Sequence, residues 1–533
     1  MRKPDIRCRY PTFVTALTVA NLLLFGWPLY AFALSTLDAG HASGMLDLLV
    51  LTVVQAVVTV VVLTAVSLLS LRAMKAVGIA LFIANSIALY FINTYHVILD
   101  KGMMGNVFAT DSEQTLELFH PRLIAYLIFF GLLPAWLVVR TAIVDSSRLQ
   151  RLRVLAIAGV LGCVVVYAGS SSWLWIDKHA KHLGGLMLPW GYLANAARLF
   201  EDRAAANRAQ EPLPPLRFVD GAHPQRKTIV VLVIGESARA KDFSLYGYGR
   251  DTNPELAKAG VIPLPDAHAC ATYTTAAIRC MLSSMGSDAP ARVTQETLPN
   301  YLQRHGVQVI WRSNNRGEPP LKIQLYERAD AIRKTCAGAG CNALGDDEVL
   351  LHGLQAMLAN SASRRIFVVL HLAGSHGPTY YKRVPAAYAR FQPACRSVDV
   401  SACSQAELVN AYDNTILYTD HVLAETIKVL QAVPGSDSTM IYMSDHGEAL
   451  GERGFYLHGA PNSIAPDVQR VVPFLIWMSP GFSASRQVTP ADMLAKPPFG
   501  DDNIFHSVVG AFGGSSAVYK PGFDLFNRAK RVP

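Results

Sequence analysis

Residues 228–239, TIVVLVIGESAR, decide the fold of the second half of this chain. An unbroken run of aliphatic residues ends at Gly235, which is a turn signal. Such a run, bounded by turn residues, predicts a central strand of a parallel sheet that is buried on both faces. Ligands of open α/β sheets lie beyond the carboxyl ends of the strands, so Glu236 stands where chemistry is expected. From this segment alone, a functional carboxylate and a cap for the next helix are equal interpretations.

The first third of the chain has a different character. At 533 residues the chain is expected to contain about three units of roughly 150 residues each. Five apolar stretches have the roughly 20 residues that a helix needs to cross a bilayer. A cleaved signal peptide is disfavoured because the first stretch is long and four more follow it. The predicted spans cover approximately 13–35, 48–71, 76–98, 121–143 and 153–174.

Basic residues predict the orientation of these spans, because cytoplasmic loops carry most of the Lys and Arg. They cluster before the first span, between the second and third, and between the fourth and fifth. The amino terminus is therefore expected in the cytoplasm, and everything after Trp175 outside it. The net charge of +8 does not indicate nucleic-acid binding, since residues 223–533 carry 30 basic and 27 acidic residues without a basic block.

The cysteines agree with an exported second half. Two of the eight, Cys8 and Cys163, fall in the membrane part. In an oxidising compartment, close pairs of cysteines predict local disulfides. A zinc site would favour CxxC spacing, which is absent. The predicted disulfides are Cys270–Cys280, Cys336–Cys341 and Cys395–Cys403.

Three domains follow from this pattern. Residues 1–175 are predicted to form a five-helix transmembrane domain with an external loop at 96–120. Residues 176–220 are predicted to be amphipathic bridging helices and a Pro-rich linker. Residues 221–533 alternate strands with helices, which predicts a soluble α/β domain with a doubly wound, mostly parallel sheet. Predicted strands cover 228–236, 307–313, 365–372, 439–443 and 472–478, and predicted helices include 296–305, 346–360, 405–432 and 503–511.

A second strand end carries metal-binding residue types. The strand TMIYM is followed by Ser444-Asp445-His446-Gly447-Glu448. Adjacent Asp and His after a buried strand offer an oxygen and a nitrogen ligand, a mixture that zinc accepts. A DHG sequence alone most often marks a turn. Together with Glu236 at the end of another strand, it predicts a metal site.

Two histidines and a threonine complete the candidate site. His376 follows the strand IFVVLHLAG, and His458 stands in a Gly-bounded loop after the DHGE turn. A single loop histidine is usually only solvated, but two near strand ends indicate phosphate or second-metal ligands. The segment CATYTTAAIRC (270–280) is rich in hydroxyls. A threonine beside zinc can lose its proton and attack phosphorus, whereas the alternative interpretation is a capped helix N-terminus.

Several motifs, in order over nearly the whole chain, resemble the bacterial phosphoethanolamine transferases of the alkaline phosphatase superfamily. The nearest type modifies lipid A and confers polymyxin resistance. The resemblance implies a sulfatase-like catalytic domain outside a five-span membrane domain in the bacterial inner membrane. The matching segments are VIGESARAKDFSLYGYGRDTNPELAK, CATYTTAAIRCMLSSMG, HLAGSHGPTY, AYDNTILYTDHVL, YMSDHGEALGERGFYLHGAP and PFLIWMSP.

The resemblance also implies roles for individual residues. Thr274 would be the nucleophile, and zinc would be held by Glu236, Thr274, Asp445 and His446. His376 and His458 match the histidines that bind the phosphoryl group or a second zinc. The segment from Asn106 to Thr110 resembles the part of the family that holds the lipid donor.

The chain departs from the family pattern at three places. The family usually has Glu eight residues after the Asn, but Gln114 stands there and Glu113 precedes it. After WRSNN, which ends at Asn315, the family's phosphate-binding Lys is shifted, so that Lys322 or Arg316 would replace it. Thr275 directly follows Thr274, so the nucleophile is assigned by its register with the cysteines.

The resemblance implies transfer of phosphoethanolamine from phosphatidylethanolamine to a lipid A phosphate, through a phosphothreonine and with release of diacylglycerol, by a monomer. The same chemistry on core sugars or another envelope glycan is the main alternative, and a phosphoglycerol transferase is another. A sulfatase is disfavoured because its Cys-x-Pro-x-Arg motif is missing. From a different class, an inactive membrane-anchored binding protein is disfavoured by the retention of all four zinc ligands.

Overall fold

The computed structural model of the protein divides into two compact units. The first comprises Met1–Met104 and Phe119–Leu199, and the second comprises Gly105–Leu118 and Phe200–Pro533. Each unit is described by itself. The structure describes residues 6–36, 42–109, 120–144, 147–168, 176, 179–206, 210–219, 225–290, 293–336, 346–397, 400–460 and 462–528.

The first unit is a bundle of apolar helices. Among the described residues, three helices are long and apolar enough to cross a membrane, or four if a bent pair is one span. Two short strands in this unit, Ile6–Arg9 and Thr141–Val144, pair in parallel. The helices that begin in this unit are α1 (Tyr10–Phe25), α2 (Trp27–Thr36), α3 (Ala42–Leu69), α4 (Leu71–Tyr95), α5 (Lys101–Ala109), α6 (Pro121–Arg140, with a π-helical stretch at Leu127–Leu132), α7 (Arg148–Ala168), α8 (Ala180–Leu186) and α9 (Trp190–Ala206).

The predicted count of five spans is not confirmed. The first predicted span is broken into α1 and α2, which meet at Gly26 with a bend of 62°. The fifth predicted span corresponds to α7, which carries three arginines in its first six residues. Only 15 residues of α7 follow Arg153, and residues 169–174 lie outside the described part of the chain. The second, third and fourth predicted spans correspond to α3, α4 and α6.

Buried polar side chains hold the bridging segment between α8 and α9 within the first unit. The carbonyl oxygen of Leu188 accepts hydrogen bonds from Asn21 Nδ2 and Gln55 Nε2, both at 3.0 Å. Asn85 Nδ2 donates to Asn21 Oδ1 at 2.8 Å, and the Tyr192 hydroxyl donates to Asn85 Oδ1 at 3.1 Å. The bridging segment is therefore bonded to side chains of α1, α3 and α4.

The second unit is built on a seven-stranded sheet in the order β2-β7-β6-β1-β5-β3-β4. The sheet is mostly parallel, and only β7 runs against its neighbours. All five predicted strands belong to it. Two short edge strands, β2 and β4, were not predicted. In chain order the strands are β1 (Lys227–Gly235), β2 (Ile262–Leu264), β3 (Gln308–Ser313), β4 (Leu325–Arg328), β5 (Arg365–His371), β6 (Ser436–Ser444) and β7 (Phe474–Met478).

Helices cover the sheet on both faces. Alternate residues of β1, among them Leu232, share one core cluster with Ile278 of α11 and Ile504 of α18. The intervening residues, such as Val231, are equally buried, and the long helix α15 packs against β6. These helices are α10 (Pro254–Ala259), α11 (Thr274–Leu282), α12 (Leu298–Arg304), α13 (Ala329–Thr335), α14 (Leu354–Asn360), α15 (Gln405–Gln431), α16 (Pro480–Arg486), α17 (Pro490–Leu494) and α18 (Asp502–Ala511).

One predicted helix is split. The structure divides 346–360 into a 3₁₀ turn at Glu348–Leu351 and helix α14. Gly353 separates them with φ of +67°, a conformation that glycine adopts without the steric penalty of other residues. The longest predicted helix is confirmed as α15, which begins with a capping box of Ser404 and Glu407.

Gly235→Ala tests the packing at the end of β1. A Cβ at this position would lie 2.6 Å from the Tyr442 hydroxyl oxygen and 2.7 and 2.8 Å from two ring carbons. Overpacking of this kind costs about 1–3 kcal/mol. We expect a lower thermal unfolding midpoint for the purified full-length protein. Gly249→Ala is the control, since its Cβ would meet no heavy atom within 4 Å. Equal midpoints for the two variants would contradict this packing argument.

Candidate active site and metal centre

Three adjacent strands deliver the predicted site residues to one edge of the sheet. β1 lies between β6 and β5, and Gly235 pairs with Ser444 in the parallel register. The ladder continues past the strand ends, because the Asp445 amide donates to the Gly235 carbonyl at 3.1 Å. On the other side, the Ser375 amide donates to the Glu236 carbonyl at 2.9 Å. The turns after the three strands are therefore fixed to one another by backbone bonds.

Helix α11 brings Thr274 to the same edge. Ile278, Met281 and Leu282 of this helix are buried in the core on the sheet. Thr274 is the first helical residue and follows Tyr273, which has extended backbone angles and no side-chain cap. The amides of the first helical turn have no partners within the helix, and the helix dipole favours negative charge there. The nucleophile candidate thus stands at an end that suits an anionic group.

The four predicted metal ligands converge. Thr274 Oγ1 lies 3.2 Å from Glu236 Oε2 and 3.3 Å from His446 Nε2. His446 Nε2 lies 3.2 Å from Glu236 Oε1 and 3.4 Å from Asp445 Oδ2. The ligand atoms of Glu236, Asp445 and His446 all lie within 4.8 Å of one another. These distances would allow one ion to touch all four side chains.

The charges of this cluster require a positive partner. Glu236 and Asp445 are completely buried. Burial raises the pKa of Asp445, and the charge of Glu236 raises it further. Burial also opposes ionisation of Glu236, but the charge and hydrogen bond of His446 hold the pKa of Glu236 well below its usual range. Burial lowers the pKa of His446, but the charges of the two carboxylates outweigh this effect and raise the pKa above its usual value. Two carboxylates this close are stable only beside a cation.

The donor set fits a divalent metal ion. Two carboxylates, an imidazole nitrogen and a hydroxyl are oxygen and nitrogen ligands of the kind that zinc accepts. Asp445 Oδ2 is buried and has no hydrogen-bond partner among the described residues. His446 Nδ1 lies 2.9 Å from the Gly447 carbonyl, so the Nδ1 hydrogen points away from the cluster. The Nε2 lone pair of the neutral ring then faces the carboxylates, as a metal ligand requires.

Neighbouring groups fix the Glu236 carboxylate. Ser237 Oγ donates to Glu236 Oε1 at 2.7 Å, and Asn315 Nδ2 donates to Glu236 Oε2 at 2.6 Å. Ser237 has φ of +55°, which is uncommon for a residue other than glycine. The Tyr412 hydroxyl holds this turn, since it donates to the Ser237 carbonyl and accepts from the Arg239 amide. A strained backbone held by surrounding bonds is typical of functional sites.

His376 and His458 lie next to the four ligands. Ligand atoms of Glu236, His376 and His458 lie within 4.8 Å of one another, and the centroids of the His446 and His458 rings are 4.2 Å apart. Burial lowers the pKa of His376 to about 3, so its ring is neutral. His376 Nδ1 is buried without a hydrogen-bond partner in the part of the chain that the structure describes. The histidines therefore form a second group of candidate ligands that shares Glu236.

The predicted substrate-binding residues divide into two groups. The Asn106 side chain, Thr110 and Glu113 lie outside the described residues. Near this segment, a Cβ at Gly105 would lie 3.4 Å from Thr275 Oγ1. Lys322 is exposed, and its backbone bonds to the side chains of Asn300 and Gln303 on α12.

Asn315 and Gly317 lie close to Thr274, the candidate nucleophile. The Asn315 amide group binds Glu236 and the Leu372 carbonyl. Gly317 has φ of +103°, and a Cβ there would lie 3.3 Å from Thr274 Cγ2 and 3.2 Å from Thr275 Cγ2. Arg316, the alternative to Lys322, is exposed and stands between these two positions. The segment after β3 therefore lies over the start of α11.

Disulfides join the ends of two loops in the second unit. Cys270–Cys280 links the segment before Thr274 to α11, and Cys395–Cys403 precedes α15. Cys336 is also disulfide-bonded, but its predicted partner Cys341 lies outside the described residues. The Cys270 amide donates to the buried Asp501 side chain at 2.7 Å, which adds a second link at this end of the loop.

Sequence reasoning did not assign several residues that line the site. Glu448 belongs to the DHGE turn, and Glu448 Oε2 lies 2.8 Å from His458 Nδ1. Tyr380 follows His376 in the same loop and donates to Glu448 Oε1. The sequence contained a signal for both, because they stand in the motifs that carry the histidines. No sequence signal indicated that Ser237 and Asn315 would orient Glu236.

Another group of metal-binding residue types joins Glu255 of α10 to His421 and Glu425 of α15. Its members are half-buried. Lys428 Nζ already lies 2.6 Å from Glu425 Oε1, so a side chain supplies the positive charge. His421 lies between two carboxylates, at 3.0 Å from Glu255 and 3.3 Å from Glu348. This group therefore has the character of a surface ion-pair network.

Comparison with known proteins agrees with this geometry. The sulfatase family model matches residues 228–514, and the model described as phosphoethanolamine transferase EptA/EptB matches residues 41–204. The chain is 39% identical to phosphoethanolamine transferase EptA of Helicobacter pylori over 455 residues, 84% of each chain. It is 32% identical to phosphatidylethanolamine transferase Mcr-1 of Escherichia coli over 425 residues, 75% of this chain and 77% of the relative.

A solved structure extends the likeness to the whole chain. It is the integral membrane protein lipooligosaccharide phosphoethanolamine transferase A from Neisseria meningitidis, with 25% identity and a TM-score of 0.85. The match covers 99% of this chain and 100% of that one. The protein therefore has a membrane part and a sulfatase-like α/β domain. The chain belongs to the phosphoethanolamine transferase family.

Proposed function

We propose that this transferase moves phosphoethanolamine from phosphatidylethanolamine to a phosphate of lipid A, through a covalent intermediate on Thr274. The observation that carries the proposal is the position of Thr274 Oγ1, 3.2 Å from Glu236 and 3.3 Å from His446 at the start of a helix. The names of two relatives support the two substrates. The Escherichia coli relative is a phosphatidylethanolamine transferase, and the Neisseria protein acts on lipooligosaccharide.

Zinc is the proposed cofactor, held by Glu236, Thr274, Asp445 and His446. When bound, zinc lowers the pKa of a coordinated hydroxyl and offsets negative charge near phosphorus. The buried carboxylate pair supports this assignment, as does Asp445 Oδ2, which accepts no hydrogen bond within the described part of the chain. His376 and His458 are the proposed ligands of the phosphoryl group or of a second zinc.

The first half of the proposed reaction loads Thr274. Thr274 Oγ1 forms a bond to the phosphorus of phosphatidylethanolamine, and the bond from phosphorus to the diacylglycerol oxygen breaks. The proton of the Thr274 hydroxyl ends on that oxygen, and diacylglycerol leaves. His376 and His458 are the groups next to the cluster that can carry the proton.

The second half unloads Thr274. An oxygen of a lipid A phosphate forms a bond to the same phosphorus, and the bond from phosphorus to Thr274 Oγ1 breaks. The proton that the attacking phosphate group loses passes to Thr274 Oγ1, and Thr274 is ready for another donor. The amides at the start of α11 point toward the negative charge of the phosphoryl group in both halves. The reaction is therefore proposed to be of the ping-pong type.

The lipid substrates account for the proposed architecture. We take residues 1–175 as the transmembrane domain, 176–220 as the bridging region and 221–533 as the catalytic domain. The basic residues near the amino terminus support a cytoplasmic start and a periplasmic catalytic domain in a bacterial inner membrane. A monomer is sufficient, because one chain supplies every residue that the proposed reaction uses.

Thr274→Ala is expected to abolish the phosphoethanolamine mass increment on lipid A in expressing cells, because the variant lacks the attacking oxygen. Mass spectrometry of lipid A measures the increment. Thr275→Ala, at the neighbouring hydroxyl, is the matched variant and is expected to keep phosphate attachment at position 274. An increment that survives in Thr274→Ala but not in Thr275→Ala would move the nucleophile to Thr275. Phosphoethanolamine on core sugars alone would identify a different acceptor.

Purified wild-type protein is expected to contain at least about one zinc per chain, and Glu236→Gln and Asp445→Asn are expected to lose it. Each substitution removes a negative ligand from the cluster. Zinc at 100 times its dissociation constant stabilises a protein by about 2.7 kcal/mol. A chelator should therefore lower the thermal unfolding midpoint of the wild type and of Glu425→Gln, but not of the two ligand variants. Glu425→Gln is the control outside the cluster. Equal zinc contents in all four proteins would contradict the assigned ligands.

Asn315→Ala is expected to weaken zinc binding by roughly 10- to 100-fold, the usual effect of removing a group that orients a metal ligand. Its amide is the donor to Glu236 Oε2. Competition with a chromophoric chelator measures the affinity. The exposed Asn462, whose amide donates to the Cys270 carbonyl, provides the Asn462→Ala control. Unchanged affinity in Asn315→Ala would mean that Ser237 alone orients Glu236.

A further inference from the structure

Tyr380 follows His376 in the loop after β5. Its side chain is buried, and its hydroxyl donates to Glu448 Oε1 at 2.6 Å. Its ring meets the Tyr412 ring edge-on, with centroids 5.5 Å apart. Burial raises the pKa of Tyr380 well above its usual value, so the hydroxyl keeps its hydrogen and remains a donor. Tyr380 therefore has a fixed position and a fixed role in its hydrogen bond.

Glu448 connects this hydroxyl to His458. It is completely buried, and its two oxygens serve different partners. Oε1 accepts from Tyr380, and Oε2 lies 2.8 Å from His458 Nδ1. A carboxylate can only accept, so the hydrogen of the neutral imidazole must be on Nδ1. The Nε2 lone pair of His458 is then available on the other side of the ring.

The contact between Tyr380 and Glu448 depends on the absence of a side chain at Gly377. A Cβ at Gly377 would lie 2.6 Å from the Tyr380 hydroxyl oxygen and 2.8 Å from Glu448 Oε1. The Gly377 backbone therefore packs closely against the hydrogen bond between Tyr380 and Glu448. The bond joins the loops that carry His376, His446 and His458.

We propose that Tyr380 is a positioning residue for phosphoethanolamine transfer, which acts by holding Glu448 so that His458 presents Nε2 to the reacting phosphorus. The inference deepens the proposed function and rests on it. Without the hydroxyl, Glu448 Oε1 would be a buried acceptor with no donor, and the carboxylate would turn or admit water. His458 would then lose its fixed ring orientation, whereas the Thr274 cluster would keep all four of its ligands.

Tyr380→Phe in the full-length protein tests this role. We expect kcat for release of diacylglycerol from fluorescently labelled phosphatidylethanolamine to fall roughly 10- to 100-fold, with KM changed less than about twofold, because His458 acts on the reacting atoms. Zinc content and the fraction of protein folded, measured on the same samples, should remain those of the wild type. Tyr381→Phe removes the same hydroxyl at the next residue and should leave kcat unchanged.

A double-mutant cycle separates positioning from a general packing defect. Glu448→Gln breaks the same connection, so Tyr380→Phe added to Glu448→Gln should cost little further activity. Full additivity of the two losses, or wild-type kcat in Tyr380→Phe, would overturn the proposal. If Tyr380→Phe does not fold, Glu448→Gln replaces it with the same readouts, since it breaks the same connection to His458.

The intact mass of the protein distinguishes this inference from the proposed function. Wild-type protein mixed with donor should carry a phosphoethanolamine increment that Thr274→Ala lacks. If the wild type shows none, the proposed function fails. If the wild type is loaded and Tyr380→Phe is loaded at the same rate, only the positioning role fails. Slow loading of a folded, zinc-containing Tyr380→Phe supports both.

Discussion

The site depends on the mutual repulsion of two buried carboxylates. Glu236 and Asp445 follow neighbouring strands, and the sheet gives them no contact with solvent. Their charges are tolerable only with positive charge between them, which a protonated His446 or a divalent ion can supply. The same requirement explains why hydrogen-bond donors from Ser237 and Asn315 are directed at Glu236. The fold therefore buries negative charge at the site, and this charge favours the binding of a cation.

The register of the sheet places the two carboxylates side by side. A parallel pair aligns the carboxyl ends of its strands, and the pairing of Gly235 with Ser444 sets Glu236 beside Asp445. Gly235 itself has no space for a side chain because the Tyr442 ring covers it. A shift by one residue would turn Glu236 to the opposite face of the sheet. The precision of the cluster thus derives from strand pairing more than from the loops.

Much of the fold could be predicted from the sequence, for physical reasons. Each of the five predicted strands contains a short apolar run, which is typical of a sheet covered on both faces, as in residues 229–234. The edge strand Leu325–Arg328 was missed because its residues are only partly buried and carry no apolar run. The split at Gly353 was missed because a positive φ is not visible in a helical pattern. The interruption of the first span at Gly26 was missed because hydropathy does not register a bend.

The sequence predicted the charged residues of the site but not the hydrogen bonds that orient them. Side chains of metal-binding types at strand ends are recognisable in the sequence, and the four predicted ligands lie close together in the structure. Roles such as the bond from Tyr380 to Glu448 depend on contacts between residues 68 positions apart. The motifs that carry the histidines contain both residues, but the sequence does not show that the two side chains touch. Such partners become visible only when burial and distance are known.

The carbonyl of Leu188 bears on how the first unit is assembled. It accepts the amide hydrogens of Asn21 and Gln55, which belong to helices made much earlier in synthesis. A hydrocarbon environment offers no water to satisfy those amides in the meantime. The helical bundle is therefore chemically incomplete until residues 187–192 arrive. Its final assembly is coupled to the chain segment that leads toward the catalytic half, so a prematurely ended chain would leave unsatisfied polar groups inside the bundle.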